Sequence, residues 1–484
     1  MRKFIKPQRN QLLMLQTIDL NSIALPGSAL YSIDTIVDSL DTGTFEAVYD
    51  LESSRGNCPI APKTIIKVCL YALHSGRFST RKMEYDTGHH LGYMFLTGAQ
   101  RIDHSTFSKF LSNFKNEVVA LFSQIVLVCV EQGLLDFKVL CIDSVKLRAN
   151  ASHKQQKNRK GLEKSAAKLR KRIEGLLDNV SSEETAVEQE KELRRLEKRL
   201  TDLDAARDIL HDRMEQSCCG KALREAAHVQ ETATVNITDP DAHIMQQANG
   251  EKNPAYSVTT AADCKADIVA HFQVNAEDHD SEALKPAIAG STEKTGKAHE
   301  HTTADAGFGS IRNLEYLEED NVNALIPDRR LAVEQMGLTA KGSYDRSQFV
   351  YDVVTDSYRC PQGRVLSCCG TVMVNGRVSR RYANPSACRQ CQQVKNCTKG
   401  NHRVLIRDEN EAVRERMREK FQQEVNQELY KLRAHTAEAS YGCIKRNWKF
   451  TYVLRRGIAK VAAEVALVFS LHNILKLGAV LHPV

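Results

Sequence analysis

The sequence predicts an α/β protein in which a mixed sheet with helices follows an all-α N-terminal domain. Three observations favour this class. Helical spacing dominates residues 30–135, short apolar runs such as 137–143 then alternate with helical patterns, and a charged, Leu-rich stretch near 154–214 interrupts them. Apolar residues make up 42% of the chain and charged residues 26%, close to the averages of folded proteins, which excludes bulk disorder.

A chain of 484 residues is long enough for several units with separate cores. The changes in pattern divide it into a helical N-terminal domain at 1–135, a first core strand at 136–153, a coiled-coil hairpin insertion at 154–217, a continuation of the α/β core at 218–327, a Cys-rich insertion at 328–408 and a helical C-terminal part of the core at 409–484.

Capping signals place helices in the N-terminal domain. Pro62 takes the first helical position before residues 63–73, and Asp103 takes the N-cap position before residues 104–111. A further helix start puts Arg81 and Lys82 where they could contact a DNA phosphate. Ordinary solvated surface charge is the alternative for these two side chains.

Charge and the terminal segments bear on where the protein acts. A formal net charge of +7 with 67 Lys and Arg residues permits nucleic-acid binding without requiring it. Residues 1–9 are basic, but no signal-peptide apolar stretch follows them, so we expect a cytoplasmic protein. Charged residues such as Lys460 and Glu464 interrupt the apolar stretch 458–481, which predicts a buried amphipathic helix and no membrane partner.

The stretch from residue 154 to about 214 has the pattern of a coiled coil. Its apolar residues recur at alternating spacings of three and four on both sides of a turn near 178–182. This predicts a hairpin of two helices. The hairpin is either a charged surface feature without a role beyond solubility, or an arm that dimerises or clamps DNA.

The α/β pattern resumes after this hairpin. Residues 255–262 and 267–274 predict an antiparallel strand pair around a short turn. The next elements are a helix at 281–296, a strand at 300–305, a helix at 310–320, a strand at 322–327, and a helical section from about 410 to 480.

Carboxylates follow two predicted strands. Asp143 ends the strand 137–143 and Asp305 ends a later one, and a sheet of this kind can bring such ends together. Carboxylate oxygens suit Mg²⁺, and two such ions can assist displacement at phosphorus. A lone Asp there is otherwise an N-cap or loop residue. Glu438 and Lys445 would share one face of a continuous helix, although a plain salt-bridged surface helix would look the same.

Five sequence blocks resemble the signature blocks of insertion-sequence DDE transposases with a ribonuclease-H-like core. They are residues 143–151, 304–310, 437–445, 455–461 and 473–477. Residues 101–110 resemble the helical domain that precedes the core in the same group. The resemblance implies a ribonuclease-H-like mixed sheet as the catalytic core and a DNA-binding role for the N-terminal domain.

The resemblance also implies metal-dependent cleavage at terminal inverted repeats and transfer of the freed 3′-hydroxyl to a target strand. Asp143, Asp305 and Glu438 would hold Mg²⁺ or Mn²⁺. The DNA contacts of the family's Tyr-Arg-Glu-Lys helix motif would be Tyr430, Arg433 and Lys445. Four residues separate Arg433 from Glu438, where the better-known pattern has three.

The expected partners are double-stranded DNA of the repeats and of the target, with a homodimer or higher oligomer assembled on that DNA at the nucleoid. Two other functions remain open. One is a catalytically inactive, transposase-derived DNA-binding protein that bridges DNA ends, and the other is a nuclease with the same core. The presence of all three acidic residues favours the transposase.

A cysteine cluster suggests a second metal. Its members, in C-x27-C-x2-C-x5-C order, are Cys360, Cys388, Cys391 and Cys397. They could build a tetrahedral Zn²⁺ site in a region poor in apolar residues, with unligated thiols as the alternative. Trp448 could stack on an unpaired base, or it could pack in the core.

Overall fold

The computed structural model describes residues 19–49, 58–178, 183–218, 232–247, 249–276, 282–328, 344, 346–374 and 376–483. The chain forms two compact units. One consists of Met1–Glu300 and Leu432–Val484, and the other of His301–Lys431.

The first unit begins with helices, as predicted. They are α1 (Ala29–Ser39), α2 (Gly43–Glu46), α3 (Pro62–His74), α4 (Thr80–His89), α5 (Leu91–Thr97), α6 (His104–Asn113) and α7 (Lys115–Glu131). Both capping predictions are confirmed, since Pro62 opens α3 and the Asp103 carboxylate accepts a hydrogen bond from the Ser105 N–H at 2.7 Å. The apolar faces of these helices share one hydrophobic cluster with the sheet of the same unit.

The strands of this unit form a sheet around a long central strand and one separate pair. They are β1 (Val139–Arg148), β2 (Gln156–Asn158), β3 (Thr234–Asn236), β4 (His243–Gln246), β5 (Lys252–Asp263) and β6 (Ile268–Asn275). β5 pairs antiparallel with β1, β4 and β6, which confirms the predicted pair 255–262 and 267–274. Helix α10 (Leu284–Thr295) packs on β6, and the Glu300 N–H then donates to the Phe137 carbonyl at 2.8 Å.

One strand prediction is wrong. β1 does not end at Asp143 but continues to Arg148. The reason is that Val145 and Leu147 keep the alternating burial of the strand, and β5 is long enough to pair with β1 as far as Arg148. Asp143 therefore lies in mid-strand, opposite Thr260 of β5.

The predicted helical hairpin is confirmed by α8 (Arg159–Asp178) and α9 (Glu183–Cys218). Leu162 and Ala166 of α8 pack against Leu203 and Leu210 of α9. Arg172 and Glu192 form an ion pair across the hairpin at 3.0 Å. β2 precedes this hairpin and β3 follows it. The two strands pair antiparallel, which was not predicted.

The second unit begins with the predicted order of strand, helix and strand. These elements are β7 (His301–Ala304), α11 (Ile311–Glu319) and β8 (Ala324–Leu325), and β7 pairs parallel with β8.

The Cys-rich stretch of the second unit forms an antiparallel sheet in the order β13-β12-β11-β10-β9. Its strands are β9 (Val350–Asp352), β10 (Ser357–Arg359), β11 (Val365–Val374), β12 (Arg377–Ala383) and β13 (Val404–Asp408). The helices after β12 are α12 (Pro385–Arg389), α13 (Val394–Cys397), α14 (Glu411–Gln422) and α15 (Glu424–Arg433).

The chain then completes the first unit through a π-helical turn at Ala434–Glu438, α16 (Ala439–Gly442), a second π turn at Cys443–Asn447, and α17 (Ile458–Leu481). Helix α17 is long and apolar enough to span a membrane, and 72% of its most apolar segment is buried inside the protein. α1, α3, α7 and β6 pack around it. The amphipathic prediction is therefore wrong, because neighbours cover α17 on nearly all sides from Val461 to Gly478.

Glu464 is a buried carboxylate within α17. It is 2% exposed and accepts hydrogen bonds from the N–H groups of Leu454 and Arg455, both at 2.9 Å. Burial raises the pKa of Glu464 to about 7, although these hydrogen bonds and the charge of Arg455 act in the opposite direction. The folded protein therefore holds a proton that the unfolded chain releases at lower pH.

We expect the free energy of unfolding to fall between about pH 5 and pH 8 by about 2–3 kcal/mol more in the wild type than in Glu464→Gln. A carboxyl whose pKa is raised by folding stabilises the protein fully at low pH, and this stabilisation is lost as the pH rises through about 7. Glutamine keeps the size and an acceptor oxygen but does not titrate. Urea unfolding at both pH values measures the difference, and identical pH dependence in the two proteins would contradict the assignment.

Candidate active site

Asp143 of β1 forms an ion pair with an arginine from the C-terminal part of the chain. Arg433 Nη2 donates to Asp143 Oδ1 at 2.8 Å, and the two side chains are only 14% and 17% exposed. The two residues are 290 positions apart, so tertiary folding alone brings them together. A pair this well shielded from water interacts more strongly than an exposed one.

Tyr441 of α16 ties the same place to the neighbouring strand. Its hydroxyl lies 2.7 Å from Thr260 Oγ1 and donates to the backbone carbonyl of Asp143 at 3.4 Å. Burial raises the pKa of Tyr441 well above its ordinary value, and the charge of Asp143 adds to this, so the phenol stays neutral. The sequence reasoning missed Tyr441. Its position four residues before Lys445, which in a helix places both on one face, could have indicated it.

Lys445 supplies a second positive charge near Asp143. Its side chain is partly buried. Burial lowers the pKa of Lys445, and the charge of Asp143 acts in the opposite direction. Arg433 and Lys445 thus both act electrostatically on Asp143, in an arrangement that can also receive phosphate groups.

The segment that carries these residues is not a regular α-helix. π turns at Ala434–Glu438 and Cys443–Asn447 flank α16, so the prediction of one continuous helical face for Glu438 and Lys445 does not hold. A π turn bonds residue i to residue i+5 and takes up one extra residue relative to an α turn. Arg433 and Glu438 are separated by one residue more than in the better-known motif, and the first π turn lies in that interval.

Asp305, in the second unit, directly follows β7 as predicted. Its Oδ1 accepts a hydrogen bond from the Gly307 N–H at 2.8 Å, so Asp305 caps the short 3₁₀ helix Ala306–Phe308. The side chain is partly exposed. Tyr430 of α15 packs edge-on against Phe421, with ring centroids 5.0 Å apart.

The remaining candidate DNA contacts differ in accessibility. Arg81 and Lys82 are exposed near the start of α4. Trp448 is 5% exposed and belongs to the main hydrophobic cluster. The core-packing alternative is therefore confirmed for Trp448, and the base-stacking interpretation is wrong.

Two clusters of possible metal ligands occur elsewhere in the described part of the chain. They are Glu84 with Asp103 and His104, and His211 with Asp212 and Glu215. The Glu84 carboxylate accepts from His104 Nδ1 and Arg101 Nη2, both at 2.8 Å, which accounts for the first cluster as a network of side-chain hydrogen bonds. The second is exposed on α9. Neither cluster contains a predicted ligand.

The four predicted zinc ligands line one cavity in the second unit: Cys360, Cys388, Cys391 and Cys397. Burial raises the pKa of Cys397, and the other three thiols add to this against the charge of Arg403. No three of the four sulfur atoms lie within 4.8 Å of one another. The adjacent pair Cys368 and Cys369 lies on β11, where their thiols contact backbone carbonyls.

Two family models match the chain. One is a transposase DDE domain, over residues 359–478, and the other is a transposase domain (DUF772), over residues 19–113. The first range contains Arg433, Glu438 and Lys445, whereas Asp143 and Asp305 lie between the two ranges. Comparison with curated proteins gives no match, and comparison with solved structures gives none either.

Both matched families are transposase domains, and they fall on two separate segments that each resemble insertion-sequence transposases. The DUF772 range covers the N-terminal helices α1 to α6, and the DDE range covers the segment that places Arg433 against Asp143. The N-terminal helices and the segment that places Arg433 against Asp143 thus both match transposase families, which supports an insertion-sequence DDE transposase.

Proposed function

We propose that this transposase binds the terminal inverted repeats of its element, cleaves the DNA there in a metal-dependent reaction, and transfers the freed strand to target DNA. The observation that carries the proposal is the ion pair between Asp143 and Arg433. It joins the first proposed catalytic carboxylate to the helical segment that contains Glu438. The protein would act in the cytoplasm, on nucleoid DNA, as a homodimer or higher oligomer.

The proposed ligands of two Mg²⁺ or Mn²⁺ ions are Asp143, Asp305 and Glu438. Asp143 and Asp305 fit this role because each offers a partly exposed carboxylate, the hard oxygen donor that these ions prefer. The ions would activate the attacking oxygen and stabilise the leaving oxygen at the scissile phosphate. Since Arg433 bonds one Asp143 oxygen, the guanidinium also holds that carboxylate in place.

The chain's own residues would position the DNA. Arg433 and Lys445 would bind phosphate groups next to the scissile bond, and the neutral hydroxyl of Tyr441 would hold the backbone of Asp143 against β5. We propose further DNA contacts for Tyr430 in the motif segment, and for Arg81 and Lys82 in the N-terminal domain, where both side chains are exposed.

A DNA cleavage assay tests this proposal. Its substrate is a duplex that carries the inverted repeat flanking the gene. We expect Asp143→Asn, Asp305→Asn and Glu438→Gln each to lower Mg²⁺-dependent cleavage by at least about a hundredfold, because a metal contributes several kcal/mol to the transition state. DNA affinity should change little in all three variants, and thermal stability should change little in Asp305→Asn and Glu438→Gln. Asp320→Asn, which alters an exposed carboxylate of the second unit, should cleave like the wild type.

An uncut duplex with the wild type in both Mg²⁺ and Mn²⁺, together with equal binding by Asp143→Asn, would favour the inactive DNA-bridging protein. Cleavage of unrelated duplexes at the same rate would favour the nuclease. Retained cleavage in Glu438→Gln alone would move the third ligand to another residue.

We also propose a structural Zn²⁺ held by the four cysteines of the second unit. Their convergence on one cavity supports this site. A tetrahedral Zn²⁺ binds thiolates at about 2.3 Å, so binding would draw the four sulfurs closer together. The metal would stabilise a sheet whose hydrophobic cluster is small, with Phe349, Tyr358, Leu366, Tyr382 and Leu405 as its buried members.

We expect about one zinc per chain in the purified wild type, and its loss in Cys391→Ser with a lower thermal midpoint. Cys369→Ser, at an exposed thiol outside the cavity, is the matched control and should keep the metal. Metal analysis and native thiol titration provide the readouts. A wild type without zinc and with freely reactive thiols would overturn the site.

A further inference from the structure

An open groove of the first unit lies beyond the end of β1, on the side of Arg148 away from Asp143. Its main polar side chains are Arg148, Asn150, Gln155, Thr238, Tyr452 and Arg456, and no carboxylate lines it. None of these residues belongs to the candidate active site. The groove therefore requires an explanation of its own.

The loop between the second π turn and α17 builds one wall of this groove on the backbone of β1. Arg148 and Tyr452 form a parallel β-bridge, and the Val453 N–H donates to the Arg148 carbonyl at 2.9 Å. Asn150 Nδ2 donates to the Leu454 carbonyl at 2.7 Å, and Arg456 Nε donates to the Asn150 carbonyl at 2.9 Å. These bonds fix the backbones of Arg148 and Tyr452 and the Arg456 side chain relative to one another.

The charges at the groove are positive. Arg148 and Arg456 are exposed, and within the described part of the chain neither forms an ion pair. The nearby carboxylates of Asp239 and Asp241 accept from the N–H groups of Gly457 and Ile458 at 3.0 and 2.9 Å, at the start of α17. Asp239 is buried, so it offsets the charge of Arg456 without facing the groove.

The groove also contains an exposed aromatic ring. Tyr452 is 52% exposed and lies beside Arg148 through their backbone bridge. An exposed aromatic ring in the same groove as guanidinium groups suits a nucleic-acid strand, whose phosphates pair with arginine while an unpaired base stacks on the ring. Bases inside a duplex already stack on each other and cannot use such a ring.

We propose that this groove binds a single-stranded DNA segment, with phosphates on Arg148 and Arg456 and a base on Tyr452. The inference rests on the proposed function, because it supplies a place for unpaired nucleotides near a cleavage site. Arg148 lies five residues after Asp143 on β1, a distance of about 17 Å at about 3.3 Å per residue.

Fluorescence anisotropy measures whether the groove binds single-stranded DNA. The probe is a labelled oligothymidylate of about twelve nucleotides, and EDTA prevents cleavage. We expect Tyr452→Ala to weaken binding about tenfold or more, whereas Tyr452→Phe keeps the ring and should bind within about twofold of the wild type. Arg148→Gln and Arg456→Gln should each lower the slope of log affinity against log salt by about 0.7.

The matched control is Arg416→Gln, which removes an exposed arginine already paired with Glu318 and should leave the slope unchanged. Thermal unfolding of each variant shows whether it keeps its structure. If Arg456→Gln unfolds the loop by losing the bond to Asn150, the salt slope of Arg148→Gln alone tests the groove. Wild-type affinity in Tyr452→Ala, or an unchanged salt slope in Arg148→Gln, would overturn the groove. So would a duplex of equal length whose binding Tyr452→Ala weakens as much as that of the single strand.

This assay separates the two proposals. A protein that binds the oligothymidylate as expected but never cleaves DNA would overturn the proposed function and leave the groove standing. An active transposase whose groove variants bind the single strand like the wild type would overturn the groove alone.

Discussion

The antiparallel pairing of β1 with β5, from Leu140 to Arg148, is the constraint on which both proposed surfaces depend. It sets Asp143 opposite Thr260, where Tyr441 bonds to both strands. The same pairing carries Arg148 to the far end of the strand, where the loop before α17 attaches to it. A carboxylate site and a basic groove thus lie on one rigid strand, at a separation fixed by the strand itself.

Helix α17 supports this arrangement from within the core. The buried side chains of Glu464, His472 and Asn473 bond to backbone groups of neighbouring segments. Asn473 exchanges hydrogen bonds with both the N–H and the carbonyl of Val269 at 3.0 and 2.9 Å, and His472 Nε2 lies 2.7 Å from the Asp267 carbonyl. Glu464 does the same for the loop that builds the groove. A helix apolar enough for a membrane is in this way tied to the sheet edge and to that loop.

The sequence predicted best what depends on neighbouring residues. Pro62 and Asp103 gave correct helix starts, and the leucine spacing gave the α8–α9 hairpin, because each signal acts within a few turns of helix. The length of β1 was underestimated, since the part after Asp143 is held by β5 more than one hundred residues away. The π turns, the antiparallel sheet of the Cys-rich stretch and the groove beside Arg148 likewise depend on tertiary contacts that no local pattern encodes.

The family blocks include Asp143 and Lys445, and the family's Tyr-Arg-Glu-Lys motif includes Arg433. In the first unit, Arg433 and Lys445 both act on Asp143. The roles proposed for Asp305 and Glu438 rest on their positions in the family motifs. The most direct test of the proposed metal ligands is anomalous diffraction from Mn²⁺ in crystals of the protein bound to an inverted-repeat end. We expect Mn²⁺ peaks at about 2.0–2.2 Å from carboxylate oxygens of Asp143, Asp305 and Glu438. Manganese bound elsewhere, with Asp143 held only by Arg433, would contradict the proposed active site.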